Sequence, residues 1–400
     1  MGENTFSAVR VSEHVYWVGA IDWGLRDFHG YTTHRGSSYN AYLILADKVT
    51  LVDTVKRGFA DELLARTASV IDPRRIDFIV SNHAEMDHSG SLPEIIQAVQ
   101  PEKVFASAMG VKALAAHNLA QQIEAVGNGS SLNLGNLTLR FWETRMLHWP
   151  DSMVSYLVED QVLFSQDGFG MHLASSERFA DEVDPWILRY EAAKYYANIL
   201  LPYSPLVTRL LATIKELGIP IACIAPDHGP IWRKGLEVLE WWREWAEQKP
   251  TKKAVIAYDT MWKSTELMAR AIAEGLVETG ATVKLAGMHG STRSDVATEL
   301  LEAGAFLVGS PTINNNMFPT VADLLCYIRG LKPKNLVGQA FGSYGWSGEG
   351  VKQVREELAR MGVELVGEPV AINYVPNQSA LQACRELGRA VGRRMQERLS

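Results

Sequence analysis

Hydrophobic and polar positions follow two rhythms along this chain, and the rhythm changes near residue 250. Short apolar runs at 15–20, 39–45 and 49–52, with Asp47 and Lys48 as turn residues, predict antiparallel strands. Beyond them, helical spacing over 59–70, 92–99 and 108–119 alternates with strand-like runs at 76–81 and 103–107, the pattern of a layered α/β domain. Further strands are predicted at 137–143, 155–158, 162–165 and 221–225, with helices over 184–201 and 235–248. The last of these carries Trp241, Trp242 and Trp245, whose large apolar rings belong in a core or a domain interface.

The polar, proline-containing stretch Gln248, Lys249, Pro250, Thr251, Lys252, Lys253 breaks this pattern and marks a domain boundary, giving domains 1–249 and 250–400. After it the alternation is regular. Strands at 254–258, 282–285, 305–309, 335–341 and 363–366 are each followed by a helix, at 264–279, 295–303, 320–329, 350–361 and 379–396. Five such repeats predict a doubly wound parallel sheet.

Composition agrees with more than one domain, since 400 residues exceed what one core usually supports. A net charge of -7 removes the bulk attraction that nucleic-acid binding relies on. The three cysteines, Cys223, Cys326 and Cys384, form no CxxC pair, so neither a disulfide framework nor a cysteine metal site is indicated. Residues 1–8 lack a signal-peptide pattern, and no apolar run approaches the roughly 18 residues of a membrane span. A cytoplasmic protein without membrane or nucleic-acid partners is the expectation, and any metal must be held by histidine and carboxylate.

The densest chemistry is the run Ser81, Asn82, His83, Ala84, Glu85, Met86, Asp87, His88, Ser89, Gly90 at the end of an apolar strand. If the run stays extended, alternation places His83, Glu85 and Asp87 on one side. Charges packed this closely are tolerated when a cation neutralises them, whereas the bland reading is a polar turn leading into the helix at Leu92. His148, Asp167 and His228 each follow an apolar stretch and precede a turn, where sites of α/β folds collect, and so supply a second half for the cluster.

In the second domain, Thr260, Met261, Trp262, Ser264 and Thr265 lead from a strand into a helix N-terminus. Hydroxyls and free N–H groups there suit a phosphate, with Ser264 also read as the helix cap. Neither a P-loop nor a GxGxxG motif is present. Two later strand ends, carrying Pro311, Thr312, Asn314 and Asn315, and then Ser343, Tyr344, Gly345 and Trp346, flank the switch point of a 2-1-3-4-5 sheet. Their amides suit the polar edge of a flavin ring, and Tyr344 or Trp346 its face.

Together these motifs resemble the flavodiiron proteins along essentially the whole chain: a metallo-β-lactamase-like αββα domain, then a flavodoxin-like domain that binds FMN. Zinc hydrolases of the same superfamily carry H-x-H-x-D-H; here Glu85 replaces the second histidine, and an oxygen donor favours iron or manganese. The resemblance implies that His83, Glu85, His148 and Asp167 bind one iron, and that Asp87, His88, His228 and the shared Asp167 bind the other. In the family, the residue matching His88 is sometimes displaced by water. Three carboxylates would partly offset the roughly +4 charge of two ferrous ions. Tyr195 matches a tyrosine beside the diiron pocket and is the candidate catalytic donor, with His29 and His172 as candidates for supporting the ligands.

The implied activity is reduction of O2 to water, of NO to N2O, or both, with FMN relaying electrons. The implied assembly is a head-to-tail homodimer or a dimer of such dimers. Some relatives carry a rubredoxin with paired CxxC motifs; this chain has none, so the expected donor is a separate rubredoxin or similar small redox protein. The competing reading is a dinuclear metallohydrolase with a regulatory flavodoxin domain, against which Glu85 argues.

Overall fold

A computed structural model describes residues 6–117 and 122–399 of the chain. The chain divides into two compact units, Met1–Tyr195 with Pro205–Arg243, and Tyr196–Ser204 with Glu244–Ser400. This differs from a single cut at Pro250 because Tyr196–Ser204 joins the second unit. There Asn198 donates to the Ser294 carbonyl (3.2 Å) and accepts from the Tyr327 hydroxyl (2.8 Å). The tryptophans divide likewise: Trp242 packs on Phe169 in the first unit and Trp245 on Tyr196 in the second.

In the first unit, Val15–Trp17, Tyr42–Ile44 and Thr50–Val52 pair antiparallel, and Phe78–Ser81, Lys103–Ser107 and Ile123–Val126 continue the same sheet in parallel. A second sheet runs Ser131–Asn133, Thr138–Glu143, Met153–Leu157, Val162–Gln166 and Cys223–Pro226. Alternate residues of the two sheets share one core, in which Tyr42, Val80 and Phe105 meet Phe141, Leu157 and Phe164. Each such side chain contributes about 1.5–3 kcal/mol through burial. The other face of the first sheet buries Leu43, Leu51 and Ile79 against helices Ala60–Ala68 and Leu92–Val99.

Helix Ser204–Leu217 is absent from the sequence expectations, although Leu206, Leu210 and Ile214 recur at helical spacing. The predicted helix over 108–119 is seen as Ala108–Ala116, and Leu119 lies outside the described residues.

The second unit is a parallel sheet in the order Thr282–Gly287, Lys253–Tyr258, Ala305–Gly309, Val337–Tyr344, Glu364–Leu365, which is 2-1-3-4-5. The fifth position is split. Glu364–Leu365 pairs with Val337 and Gly338, and Val370–Asn373, which the hydrophobic pattern did not predict, pairs with residues 341–344. Helices Ser264–Val277 and Gln378–Glu397 pack closely on one face.

Candidate functional site

The predicted histidine–carboxylate set lies in the segments that follow strands of the first unit. His83 and Glu85 follow Phe78–Ser81, Asp167 follows Val162–Gln166, His228 follows Cys223–Pro226, and His148 lies between Thr138–Glu143 and Met153–Leu157. The run after His83 does not stay extended. Met86–Ser89 forms one helical turn behind Glu85, whose carbonyl accepts the His88 and Ser89 N–H groups at 3.0 and 2.8 Å. The turn separates Asp87 from Glu85 and overturns the one-sided arrangement that alternation suggested.

The result is two clusters, His83, Glu85, His148 and Asp167, and then Asp87, His88 and His228; within each, one ligand atom per residue lies within 4.8 Å of the others. Asp167 reaches both. Its Oδ2 lies 3.0 Å from His148 Nε2 and 3.4 Å from His83 Nε2, while its Oδ1 lies 3.2 Å from His88 Nε2 and 3.3 Å from His228 Nε2. Glu85 Oε2 closes the first cluster at 3.1 Å from His148 Nε2, and Asp87 Oδ2 the second at 3.1 Å from His228 Nε2.

The surrounding bonds leave Nε2 as the inward atom. His83 Nδ1 donates to Asp151 Oδ2 at 3.1 Å, His228 Nδ1 donates to the Ser38 carbonyl at 2.7 Å, and His88 Nδ1 faces Asp227 at 3.6 Å. A ring whose Nδ1 proton is engaged presents a lone pair at Nε2. Both Asp87 oxygens, Asp167 Oδ1 and His88 Nε2 are buried without a hydrogen bond. Such atoms need a partner, and a divalent cation provides one, so this donor set fits a pair of metal ions.

The electrostatics agree. Burial opposes charge on His83, but Asp151 and Glu85 outweigh it and hold the ring up at about 10; His148 is likewise held at about 9 by Asp167 and Glu85. Burial also opposes ionisation of Asp167, yet the neighbouring histidines pull it well below the usual carboxylate range. A cation and these protons compete for the same lone pairs.

Backbone conformation is unusual at the same place. Met146, Gln166 and Phe169, which flank the residues at 148 and 167, all have positive φ, at 65°, 48° and 66°. Such strain gathers at functional sites.

Tyr195, at the end of helix Pro185–Tyr195, is buried with its ring 5.2 Å from His172 and 6.2 Å from His228. Burial and then the carboxylates Asp167, Glu85 and Asp87 push its hydroxyl well above the ordinary tyrosine value, so it stays a proton donor. His172 Nδ1 bonds Ser37 Oγ at 2.8 Å, and that oxygen lies 3.3 Å from His228 Nδ1. Burial and then His228 push the His172 ring well below its usual value, which keeps it neutral. His29 Nε2 lies 3.3 Å from Glu85 Oε1 on a largely exposed ring. Asp151, Asp227 and Ser37, which buttress the histidines, were missed because nothing local in the sequence marks them.

In the second unit a cavity of about 490 Å3 opens at the strand ends. Thr260, Met261, Trp262 and Ser264 line it from the first loop, Pro311, Thr312, Asn314 and Asn315 from the second, and Ser343, Tyr344, Gly345 and Trp346 from the third. Thr265 does not line it; its hydroxyl is fully buried one position further into the helix. The helix cap is Lys263, at φ 65°, rather than Ser264, which becomes the first helical residue. Tyr374 and Val375 complete the wall, just after the strand Val370–Asn373 that the hydrophobic pattern does not predict. The Thr260 and Thr265 hydroxyls are buried without a partner beside this helix N-terminus, which fits a phosphate, and the exposed rings of Trp262 and Trp346 fit a flat aromatic group.

The chain matches two family models, the ODP family beta lactamase over residues 38–229 and flavodoxin over residues 256–388. It is 47% identical to a nitric oxide reductase of Moorella thermoacetica, covering 97% of this chain and 98% of that one. It is 45% identical to the rubredoxin-oxygen oxidoreductase of Megalodesulfovibrio gigas, covering 98% and 99%. Among solved structures, the rubredoxin oxygen:oxidoreductase from Desulfovibrio gigas superposes with a TM-score of 0.96 at 44% identity, over 98% of this chain and 100% of that one. The flavodiiron protein from Giardia intestinalis does so with a TM-score of 0.93 at 33% identity, over 98% and 97%. With two units of the expected architecture, a bridged histidine–carboxylate pair of clusters and relatives matched over nearly their full length, the chain belongs to the flavodiiron protein family.

Proposed function

We propose that this chain is an oxidoreductase that reduces O2 to water, NO to N2O, or both, at a non-haem diiron centre fed by FMN. The observation that carries this reading is Asp167, which offers one oxygen to each histidine cluster and so suits a bridge between two metal ions. The names of the relatives, nitric oxide reductase and rubredoxin-oxygen oxidoreductase, support both gases as substrates and a rubredoxin as donor.

His83, Glu85, His148 and Asp167 would hold one iron, and Asp87, His88, His228 and Asp167 the other. When bound, the irons supply a redox pair for a diatomic, and FMN supplies single electrons from a two-electron store. The chain's own contribution is orientation and proton supply. Asp151 and the Ser38 carbonyl fix the His83 and His228 rings, and the Tyr195 hydroxyl holds a proton at the pocket wall. Thr260, Ser264 and Thr265 would take the FMN phosphate, Thr312, Asn314, Asn315 and Ser343 the polar ring edge, and Tyr344 or Trp346 its face.

The proposed assembly is a head-to-tail homodimer that brings one protomer's FMN to the partner's diiron site. The exposure of Trp262 (89%) and Trp346 (88%) at the flavin cavity supports a covered rim there. Three free cysteines support a reducing compartment such as the cytoplasm, and among the described residues no helix is long and apolar enough to cross a membrane.

Steady-state consumption of each gas by iron- and FMN-loaded protein with reduced rubredoxin tests the reading. Turnover that disappears in Asp167→Ala while FMN is retained supports it. Two zinc ions per chain with hydrolytic activity, or unchanged gas turnover in Asp167→Ala, would overturn it.

A further inference from the structure

We propose that the turn at residues 373–375 is a fourth flavin-binding loop, in which the Tyr374 ring packs against bound FMN. The proposal rests on the FMN site described above and adds a residue to it from outside the three loops that the sequence marks.

The split fifth position of the sheet is what brings this turn to the cavity. Glu364–Leu365 pairs with Val337 and Gly338, at the start of the neighbouring strand Val337–Tyr344. Val370–Asn373 then pairs in parallel with the end of that strand, with Asn373 beside Tyr344. Its C-terminal end therefore reaches the edge at which parallel sheets bind their ligands, level with the other flavin loops. Tyr374 and Val375 follow at once and line the cavity.

The turn is anchored on both sides. The Tyr374 N–H donates to the Tyr344 carbonyl at 2.7 Å, and the Asn373 side-chain amide donates to the Gly345 carbonyl. Both acceptors belong to the third flavin loop. Beyond it, the buried Pro376 restricts Val375 to extended backbone, and Asn377 caps helix Gln378–Glu397 by accepting the Ala380 N–H at 2.9 Å. Only residues 374–376 separate the strand from the cap.

Within this fixed turn the side chains stand open: Tyr374 is 62% exposed and Val375 70%. An apolar pair held in place yet left uncovered on a cavity wall is preorganised for a ligand. Tyr374 also has φ 56°, in the left-handed region that a bulky residue rarely adopts. Glycine would take that conformation without strain, so the turn by itself gives no reason for a tyrosine, and strain of this kind gathers at ligand sites. A β-carbon on Gly345 would stand 3.5 Å from Tyr374 Cε1, so the ring lies beside the backbone of the third loop, on the wall that Trp346 also lines. A flat aromatic ligand gains most from such a wall.

FMN titration of the flavin-free full chain tests this with Tyr374→Gly and Tyr374→Phe. Glycine relieves the left-handed strain, so Tyr374→Gly should fold as well as the wild type while lacking the ring. Its FMN affinity should fall about three- to tenfold. The midpoint potential of its FMN should rise, because water replaces an apolar wall beside a ring that gains charge on reduction. Tyr374→Phe should match the wild type in both. Wild-type affinity and potential in Tyr374→Gly would overturn the contact while leaving the flavin site intact. A wild-type chain that takes up no FMN would overturn the flavin reading itself, and this proposal with it.

Discussion

Asp151 Oδ2 accepts two hydrogen bonds, from His83 Nδ1 at 3.1 Å and from the Ala84 N–H at 2.7 Å, and so ties the first candidate ligand to the loop that carries the second. The carboxylate fixes the His83 ring and leaves Nε2 pointing at Asp167 and Glu85. Asp151→Asn keeps an acceptor oxygen but removes the charge. Metal affinity at the His83, Glu85, His148, Asp167 cluster should fall about 10- to 100-fold, because partners of metal-bound histidines tune affinity by that much. Metal content measured against a graded chelator reads this, with the fold checked by circular dichroism; unchanged retention would count against the assignment.

The unpartnered Thr260 hydroxyl sets up an effect of opposite sign with and without FMN. A buried hydroxyl lacking a partner destabilises the empty fold, and a phosphate would satisfy it. Thr260→Val, of nearly the same shape, should leave the FMN-free protein as stable as the wild type or slightly more so. FMN affinity should weaken about tenfold, equivalent to one hydrogen bond of about 1.4 kcal/mol. Thermal unfolding of the FMN-free protein and a flavin fluorescence titration measure the two halves separately.

Asp160 joins the N-terminal edge of the first sheet to a turn of the second. It accepts from Ser12 Oγ (2.5 Å), the His14 N–H (2.8 Å) and His14 Nδ1 (2.7 Å). Burial pushes its carboxyl up, but these donors outweigh burial and leave it below the ordinary carboxylate value. A pKa lowered on folding adds stability that is complete above the unfolded value, about 3.9, and is lost as the pH falls through the folded value. Asp160→Asn should therefore cost about 1–2 kcal/mol at pH 7, with the gap to wild type closing below about pH 4. Urea unfolding at pH 7, 5 and 3.5 measures it, and a gap independent of pH would refute the assignment.

Helices Ser264–Val277 and Gln378–Glu397 approach so closely that a β-carbon on Gly388 would meet the Ile272 carbonyl, and one on Gly275 the Arg385 carbonyl. Backbone cannot give way as a side-chain tip can. Gly388→Ala should destabilise the second unit by about 1–3 kcal/mol despite alanine's better helix propensity. Calorimetry of the FMN-free protein would register this as a lower transition temperature.

The seven candidate metal ligands were legible because they gather in the segments that follow strands, and four fall within six residues. The flavin loops were legible for the same reason, since parallel strands deliver their C-terminal loops to one edge. Helix Ser204–Leu217 and strand Val370–Asn373 are not legible in the hydrophobic pattern. The helix follows closely on Tyr196–Ser204, a segment that belongs to the other unit, and the strand is a four-residue piece of a broken sheet position.

By itself the sequence determined most of the strands and helices, the change of architecture near residue 250 and the chemical identity of the donors, because periodicity, turn residues and ligand type are local properties. Only the tertiary structure decided which donors face each other. The turn at Met86–Ser89 separates Glu85 from Asp87, Asp167 reaches both clusters, and Asp151, Ser38 and Asp227 come to the histidines from distant parts of the chain. Contacts of this kind depend on how separate segments meet in space, and one sequence carries no local mark of them.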